Sequence, residues 1–357
     1  MFKVSRNRLF KARELLIAFA WGALPLVGLA QSSQSQLLPE QRSTATRVVI
    51  VQNSEATDAF EPRLELVRPM IEHGLTALTG KSTVASAWLS LISTQDIVGL
   101  KVYCGPGAAS GTRPAVVAAV IESLLKAHIA TNHIIVWDKR LVDLKNSGFD
   151  ELAAHYGVLM EACSAVPYDS KVFYENSLLG KLMWGDSQFG NESETVARKS
   201  FVSTLLTKRI TKIVNITPLL NHHTGGVCGN LFSLATGSVD NVVRFETAYS
   251  RLATTVPEIY ALPALGDHVA LNIVDALICQ YQGEQTTLLH YASILNQIRF
   301  SKDPVALDVL SIQELDKQRR AAGISLAHTN SMELFENASL LELGTSDPQN
   351  IRVEMVR

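Results

Sequence analysis

Residues 97–138 read IVGLKVYCGPGAASGTRPAVVAAVIESLLKAHIATNHIIVWD. Val98–Tyr103 is an apolar strand. Cys104–Thr112 is a glycine-rich loop. Arg113-Pro114 opens a helix, because proline suits a first helical turn. Val116, Val117, Val120, Leu124 and Leu125 recur at helical spacing and predict its buried stripe. Ile134–Trp137 is a short, wholly apolar run, the signature of a strand inside a parallel sheet, and Asp138 ends it. Strand, loop, helix, strand is one βαβ unit.

The same alternation extends in both directions. Thr46–Gln52 (TRVVIVQ) predicts a first strand. Glu61–Leu78 is helical in spacing and stops near Gly80. Further strands are expected at Leu159–Cys163, Lys212–Ile216 and Leu271–Asp275, and a last one at Ile351–Val356. Val305–Arg320 and Phe335–Leu343 read as helices. Lys171–Val196, punctuated by Gly, Asn and Ser, reads as irregular. The expected fold is therefore α/β, a mostly parallel sheet with helices on both faces.

The chain has 357 residues, 47% hydrophobic and 18% charged. That suffices for a large core and excludes global disorder. Residues 1–30 stand apart. Lys3, Arg6, Arg8, Lys11 and Arg13 precede the apolar run Leu15–Ala30, and Gly28 and Ala30 supply small residues at an exit site. This is the pattern of a signal peptide cleaved after Ala30. An uncleaved anchor is the alternative, though 16 residues is short for a span of ~20. Ser5–Lys11 loosely resembles a twin-arginine signal with its arginines split by Asn7, so Sec export is as good a reading. The expected location is periplasmic or extracellular. Residues 31–46 read as a flexible leader and 47–357 as a single α/β domain.

The first thirty residues hold five basic side chains and one acid, so the remainder carries −6 against −2 for the whole chain. No basic block remains, which argues against nucleic acid or an anionic membrane surface as partner. Cys104, Cys163, Cys228 and Cys279 are widely spaced without a CxxC. They encode no compact metal or iron–sulfur site. One or two disulfides, or four buried thiols, fit equally.

Ligands of parallel α/β sheets bind beyond the carboxyl ends of the strands. Four such ends carry candidates. In Cys104–Thr112, Gly105, Gly107 and Gly111 would let backbone approach a ligand, and the following helix points its N-terminal amides there, suiting an anion. The loop is neither GxGxxG nor a P-loop, and a structural turn explains it as simply. Asp138 could bind a metal or sugar hydroxyl, act as a base, or merely cap a loop or pair with Lys139 or Arg140. His222 and His223 lie in NITPLLNHHTGGVCG (215–229). Adjacent side chains point apart, so one His as acid, base or ligand is the functional reading and a surface or supporting role the plain one. Asp275 follows LNIV, with His268 upstream. Asp138, His222 and Asp275 would make an acid–base or metal cluster if their strands were neighbours. There is no GxSxG, HExxH or kinase motif set.

These segments resemble the domain of unknown function 362 family, particularly its exported bacterial members, from about Val48 to the C-terminus. DIVGLKVYCGPG resembles that family's D-x-VGIKVN, with Tyr103 in place of Asn. NHIIVWDKRLVDLKNSGF resembles N-IIIWDR-x-x-x-L-x-x-AGF. KIVNITPLLNHHTGGVCGNLFSL is similar to KIINVPVLKDH-x-x-x-GVTGALKNL. LNIVDAL, SKDPVALDVL and the terminal LLELGTSDPQNIRVEMV resemble its remaining segments, with Asp275, Asp303, Pro304, Ala306 and Asp308 shared. The resemblance implies an α/β fold and no established reaction. Some relatives carry ferredoxin-like modules, which implies redox chemistry, but those cysteine motifs are absent here. Two lysines of the family pattern are replaced, by Leu220 and Phe232, and a glycine by Ala276. Gly283-Glu284-Gln285 stands where GGP is usual. Lost lysines should weaken any phosphate or carboxylate site.

Two readings follow. One is an exported, metal-dependent or redox-linked enzyme with Asp138, His222 and Asp275 lining a cleft. The other is a catalytically degenerate binding or scaffold protein. A third holds the aspartates to be caps and ion-pair partners only. Cofactor and metal stay unassigned; a small molecule is the expected ligand.

Overall fold

A computed structural model describes residues 45–175, 199–246, 249–283, 286–324 and 332–357. The expected signal peptide, nearly all of the leader, and residues 176–196 of the segment expected to be irregular lie outside the described residues.

In chain order the strands are β1 (Thr46–Gln52), β2 (Thr57–Asp58), β3 (Glu61–Pro62), β4 (Val98–Val102), β5 (Ile134–Asp138), β6 (Leu159–Ala162) and β7 (Tyr168–Glu175). They continue with β8 (Lys199–Ser203), β9 (Lys212–His222), β10 (Gly226–Val227), β11 (Val269–Gln280), β12 (Ala292–Ser301) and β13 (Ile351–Val356). The main sheet runs β13-β1-β12-β11-β9-β4-β5-β6, with β10 hairpinned onto β9. Every pairing along that path is parallel except the two made by β12. The fold is α/β with a mostly parallel sheet.

Helices cover both faces. On one lie α1 (Leu64–Thr79), α2 (Val84–Leu89), α3 (Pro114–Lys126) and α5 (Phe149–Tyr156), beyond the short α4 (Leu141–Asn146). On the other lie α6 (Thr204–Lys208), α7 (Asn230–Ser238), α8 (Val243–Glu246), α9 (Tyr249–Tyr260), α10 (Pro304–Ala321) and α11 (Glu333–Leu340). Strand alternation feeds two cores. Val98, Leu100, Val102, Ile134 and Val136 enter the α3 side, and Ile135 and Trp137 the α7 side. Each fully buried branched side chain contributes roughly 1.5–3 kcal/mol.

Local signals place the boundaries. Arg113 is extended before Pro114, as a residue preceding proline must be, and Pro114 opens α3. Gly80 ends α1 in the left-handed region, its N–H bonded to the Thr76 carbonyl. Several expectations change, and the helix expected from Glu61 starts at Leu64 because Glu61 and Pro62 pair with β2. β9 and β11 run six and five residues past their expected ends. Residues 171–175, expected to be irregular, pair with β8. β12 was not expected at all. It carries a bulge opposite Leu277, where Asn296 takes a left-handed conformation (φ 54°). Its amide bridges Ser54 and Thr57, and the bulge breaks the two-residue alternation.

Candidate functional site

At the carboxyl ends of β4 and β5 a cleft of about 260 Å³ opens between the loop after β4, the start of α4, and α7–α8. Tyr103 and Phe232 meet edge-to-face in its wall. Asp138, Lys139, Ser233, Gly237 and Glu246 line it, with Arg140 and Asp143 paired at 2.7 Å.

Its anchor is a residue the sequence reading passed over. Lys101 sits mid-strand in VGLKV and is wholly buried. All three ammonium protons have acceptors: the Val102 carbonyl at 2.6 Å, Asp138 Oδ1 at 2.9 Å and Ser233 Oγ at 3.0 Å. The Trp137 and Tyr103 rings lie 5.5 and 5.9 Å away. Gly237 makes room, since a Cβ there would stand 2.6 Å from Lys101 Cε. A lysine among continuous apolar residues of a central strand was itself the signal, because a charge there requires a partner.

Asp138 is fixed by three donors: Lys101 Nζ, the Cys104 N–H at 2.8 Å and its neighbour's Lys139 N–H at 2.8 Å. Asp275 is also held. Its Oδ2 accepts the Arg113 N–H at 3.1 Å, and Oδ1 stands 3.0 Å from the Arg113 guanidinium. That contact is an ion pair without hydrogen-bond alignment, since the guanidinium nitrogen involved has no hydrogen-bond acceptor. The anion foreseen at the N-terminus of α3 is thus Asp275, a side chain of the protein itself. Asp308 does the same for α7. It accepts from the Asn230 N–H, the Asn230 amide and the Leu231 N–H at 2.7–3.0 Å. Burial pushes its carboxyl up to about 7 against the pull of those donors.

His222 ends β9 in the wall behind the cleft. Its ring lies 4.2 Å from that of Phe232, and Nδ1 accepts the Gly225 N–H at 2.9 Å, which assigns the proton to Nε2. Burial, aided by His223, lowers it to about 4.

The structure does not bring Asp138, His222 and Asp275 together. β4 and β9 separate β5 from β11, three strand spacings or ~14 Å. Asp275 lies on the α3 face, and neither it nor His222 lines the cleft. Among the described residues no group of three or more His, Cys, Asp or Glu is placed to hold a metal ion. Of the loop glycines, Gly105 lines the cleft. Gly107 turns the loop at φ 82°, and Gly111 packs against the Tyr103 and Gly107 carbonyls. The N–H groups of Cys104, Gly107, Gly111, Thr112 and Arg113 all have internal acceptors.

Two cleft groups are not held. Neither the Lys139 ammonium nor the Glu246 carboxyl has a hydrogen-bond or ion-pair partner among the described residues. Burial lowers the Lys139 amine and raises Glu246, while each opposes the other's shift through its charge. The four cysteines are buried free thiols, and burial raises Cys104, Cys163 and Cys279, the last two to about 12.

Residues 98–313, more than half the chain, match the family described as Domain of unknown function (DUF362), and the chain belongs to that family. No curated protein matches it. A crystal structure of a protein from Thermotoga maritima, determined by a structural genomics consortium, is similar at 9% identity with a TM-score of 0.41. The match covers 75% of this chain and 61% of that one. No helix among the described residues is long and apolar enough to cross a membrane.

Proposed function

We propose that this protein binds a compact polar metabolite in the cleft at the carboxyl ends of β4 and β5. The observation that carries this reading is the half-buried Lys139 and Glu246, an amine and a carboxyl group in a concave site with no hydrogen-bond or ion-pair partner among the described residues. Desolvating both without pairing them costs free energy that a ligand would recover. Ser233 adds a donor, because its Oγ accepts from Lys101 and keeps its own proton. Asp138 and Lys101 support the floor of the site.

Calorimetric titration with a panel of small carboxylates, phosphates, amino acids and oxo acids tests the proposal. Lys139→Met and Glu246→Gln should each weaken the binding found by at least tenfold while leaving the melting temperature at or above that of the parent, since each removes a desolvated, unpaired group. Binding indifferent to both substitutions would remove the cleft from consideration. An enzyme using Asp138, His222 and Asp275 as one metal or acid–base centre has weaker support, since each has its own internal donors. Export belongs to the same proposal. Its support is the basic run Lys3–Arg13, the apolar run Leu15–Ala30 and the small residues Gly28 and Ala30. Mature protein should begin at Gln31 on N-terminal sequencing.

A further inference from the structure

The cleft contains two lysines in opposite states. Lys101 is saturated by three acceptors and buried behind the floor. Lys139 has its main chain pinned by the hydrogen bond from its N–H to Asp138, while its amine has no acceptor among the described residues. Tyr103, Phe232 and Val242 bring apolar surface to the same space. Glu246 lines it from α8 and is the cleft carboxyl group without a donor among the described residues. Asp138 and Asp143 have theirs. An amine that is desolvated, unpaired and exposed to a cavity is the arrangement by which lysine becomes a nucleophile toward carbonyl carbon. A guanidinium cannot serve, because it does not lose its proton.

We propose that Lys139 captures a short aldehyde or 2-oxo acid as an imine, with Glu246 as the proton donor. The proposal rests on the cleft being a small-molecule site. The neutral amine attacks the carbonyl carbon, so a C–N bond forms and the C=O π bond breaks. The carbonyl oxygen leaves as water with one proton from Lys139 Nζ and one from the Glu246 carboxylic acid. The product is a protonated imine beside the Glu246 carboxylate, and charge and atoms balance with no oxidant or reductant. The directions of the two perturbed groups agree with this division: burial favours the neutral amine and the protonated acid at the start. Asp138, Asp240 and Glu246 act on Lys139 by charge in the opposite sense, as does the thiol of Cys163 if ionised. Lys139 and Arg140 face Glu246.

The test is reductive trapping. The full folded chain is incubated with glyoxylate, and separately with pyruvate, in sodium cyanoborohydride, then digested for peptide mass spectrometry. The expected result is one reduced adduct at Lys139, at least tenfold above the mean of the other lysines, with Lys101 unmodified. Glu246→Gln should slow trapping at least tenfold, and Lys139→Arg, which keeps the charge, should abolish the site-specific adduct. Adducts spread evenly over exposed lysines such as Lys145 and Lys317, or none at Lys139, overturn the proposal. An unchanged rate in Glu246→Gln overturns the proton-donor role. Calorimetry of the same samples separates the two claims. Non-covalent binding lost in Lys139→Met but without an adduct in the parent leaves the cleft reading standing and removes the imine.

Discussion

Replacing Lys101 by methionine, an unbranched side chain one heavy atom shorter, retains most of the packing and deletes the charge. Three acceptors lose their donor at once: Val102 O, Ser233 Oγ and Asp138 Oδ1. Breaking a buried ion pair costs about 3–5 kcal/mol, mainly because the remaining charge stays buried. Asp138 keeps two backbone N–H donors and faces the cleft, which places Lys101→Met near the lower end, about 3 kcal/mol. The converse, Asp138→Asn, strands an ammonium with no access to solvent. It belongs at the upper end, about 5 kcal/mol. In the double variant neither charge remains to be compensated. Its cost should therefore fall short of the sum by about 2–3 kcal/mol, the upper part of the roughly 0.5–3 kcal/mol range of coupling for residues in direct contact. Urea unfolding of the four proteins, followed by fluorescence and circular dichroism, measures that difference. Costs that add to within about 0.5 kcal/mol would refute the argument, because groups bonded at 2.9 Å with no water between them cannot act independently.

Two shorter predictions follow the same logic. A Cβ at Gly229 would stand 2.3 Å from Asp308 Oδ1 and displace the carboxylate from three donors. Gly229→Ala should cost about 2–3 kcal/mol by denaturant midpoint, and much less when Asp308→Ala is already present. His222 stays neutral in the folded state down to about pH 4, against 6.5 when unfolded. The unfolded chain therefore takes up the proton first. The stabilising contribution is complete above pH 6.5 and is lost as pH falls towards 4, on the order of 3 kcal/mol. His222→Asn retains an acceptor for Gly225 and cannot titrate. The stability difference between parent and variant should shrink across that window, and a constant difference would contradict the assignment.

Much of the sheet was legible because its strands are buried on both faces. Val98–Val102 and Ile134–Asp138 are apolar apart from Lys101 and Asp138, and proline and glycine mark the ends of their neighbours. β12 was not legible, for a physical reason. Its bulge at Leu295 and Asn296 shifts the alternation midway, and Asn296 adopts a backbone conformation rare for a non-glycine residue. α9 was hidden by Pro257, which sits eight residues into a helix whose packing against α11 and α7 overrides local preference.

The aspartates at strand ends were legible as positions but not as states. In a parallel α/β sheet each helix begins near a strand end with unpaired N–H groups, and those groups need an anion. A ligand can supply one, and so can a side chain from a neighbouring element. Asp275 does this for α3 and Asp308 for α7, so carboxylates that the sequence presents as chemistry are engaged in holding helices. The replaced lysines are clarified in the same way. Leu220 is buried in the core, and Phe232 packs on His222 and Tyr103, so neither leaves a gap. The lysines of this region come instead from β4, as Lys101 bound to Asp138, and from the residue after β5, Lys139. Once the internally paired charges are set aside, Lys139 and Glu246 are the cleft groups with no partner among the described residues. Spacing along the chain could not reveal this, because 107 residues separate them in sequence and the topology alone brings α8 across the end of β5.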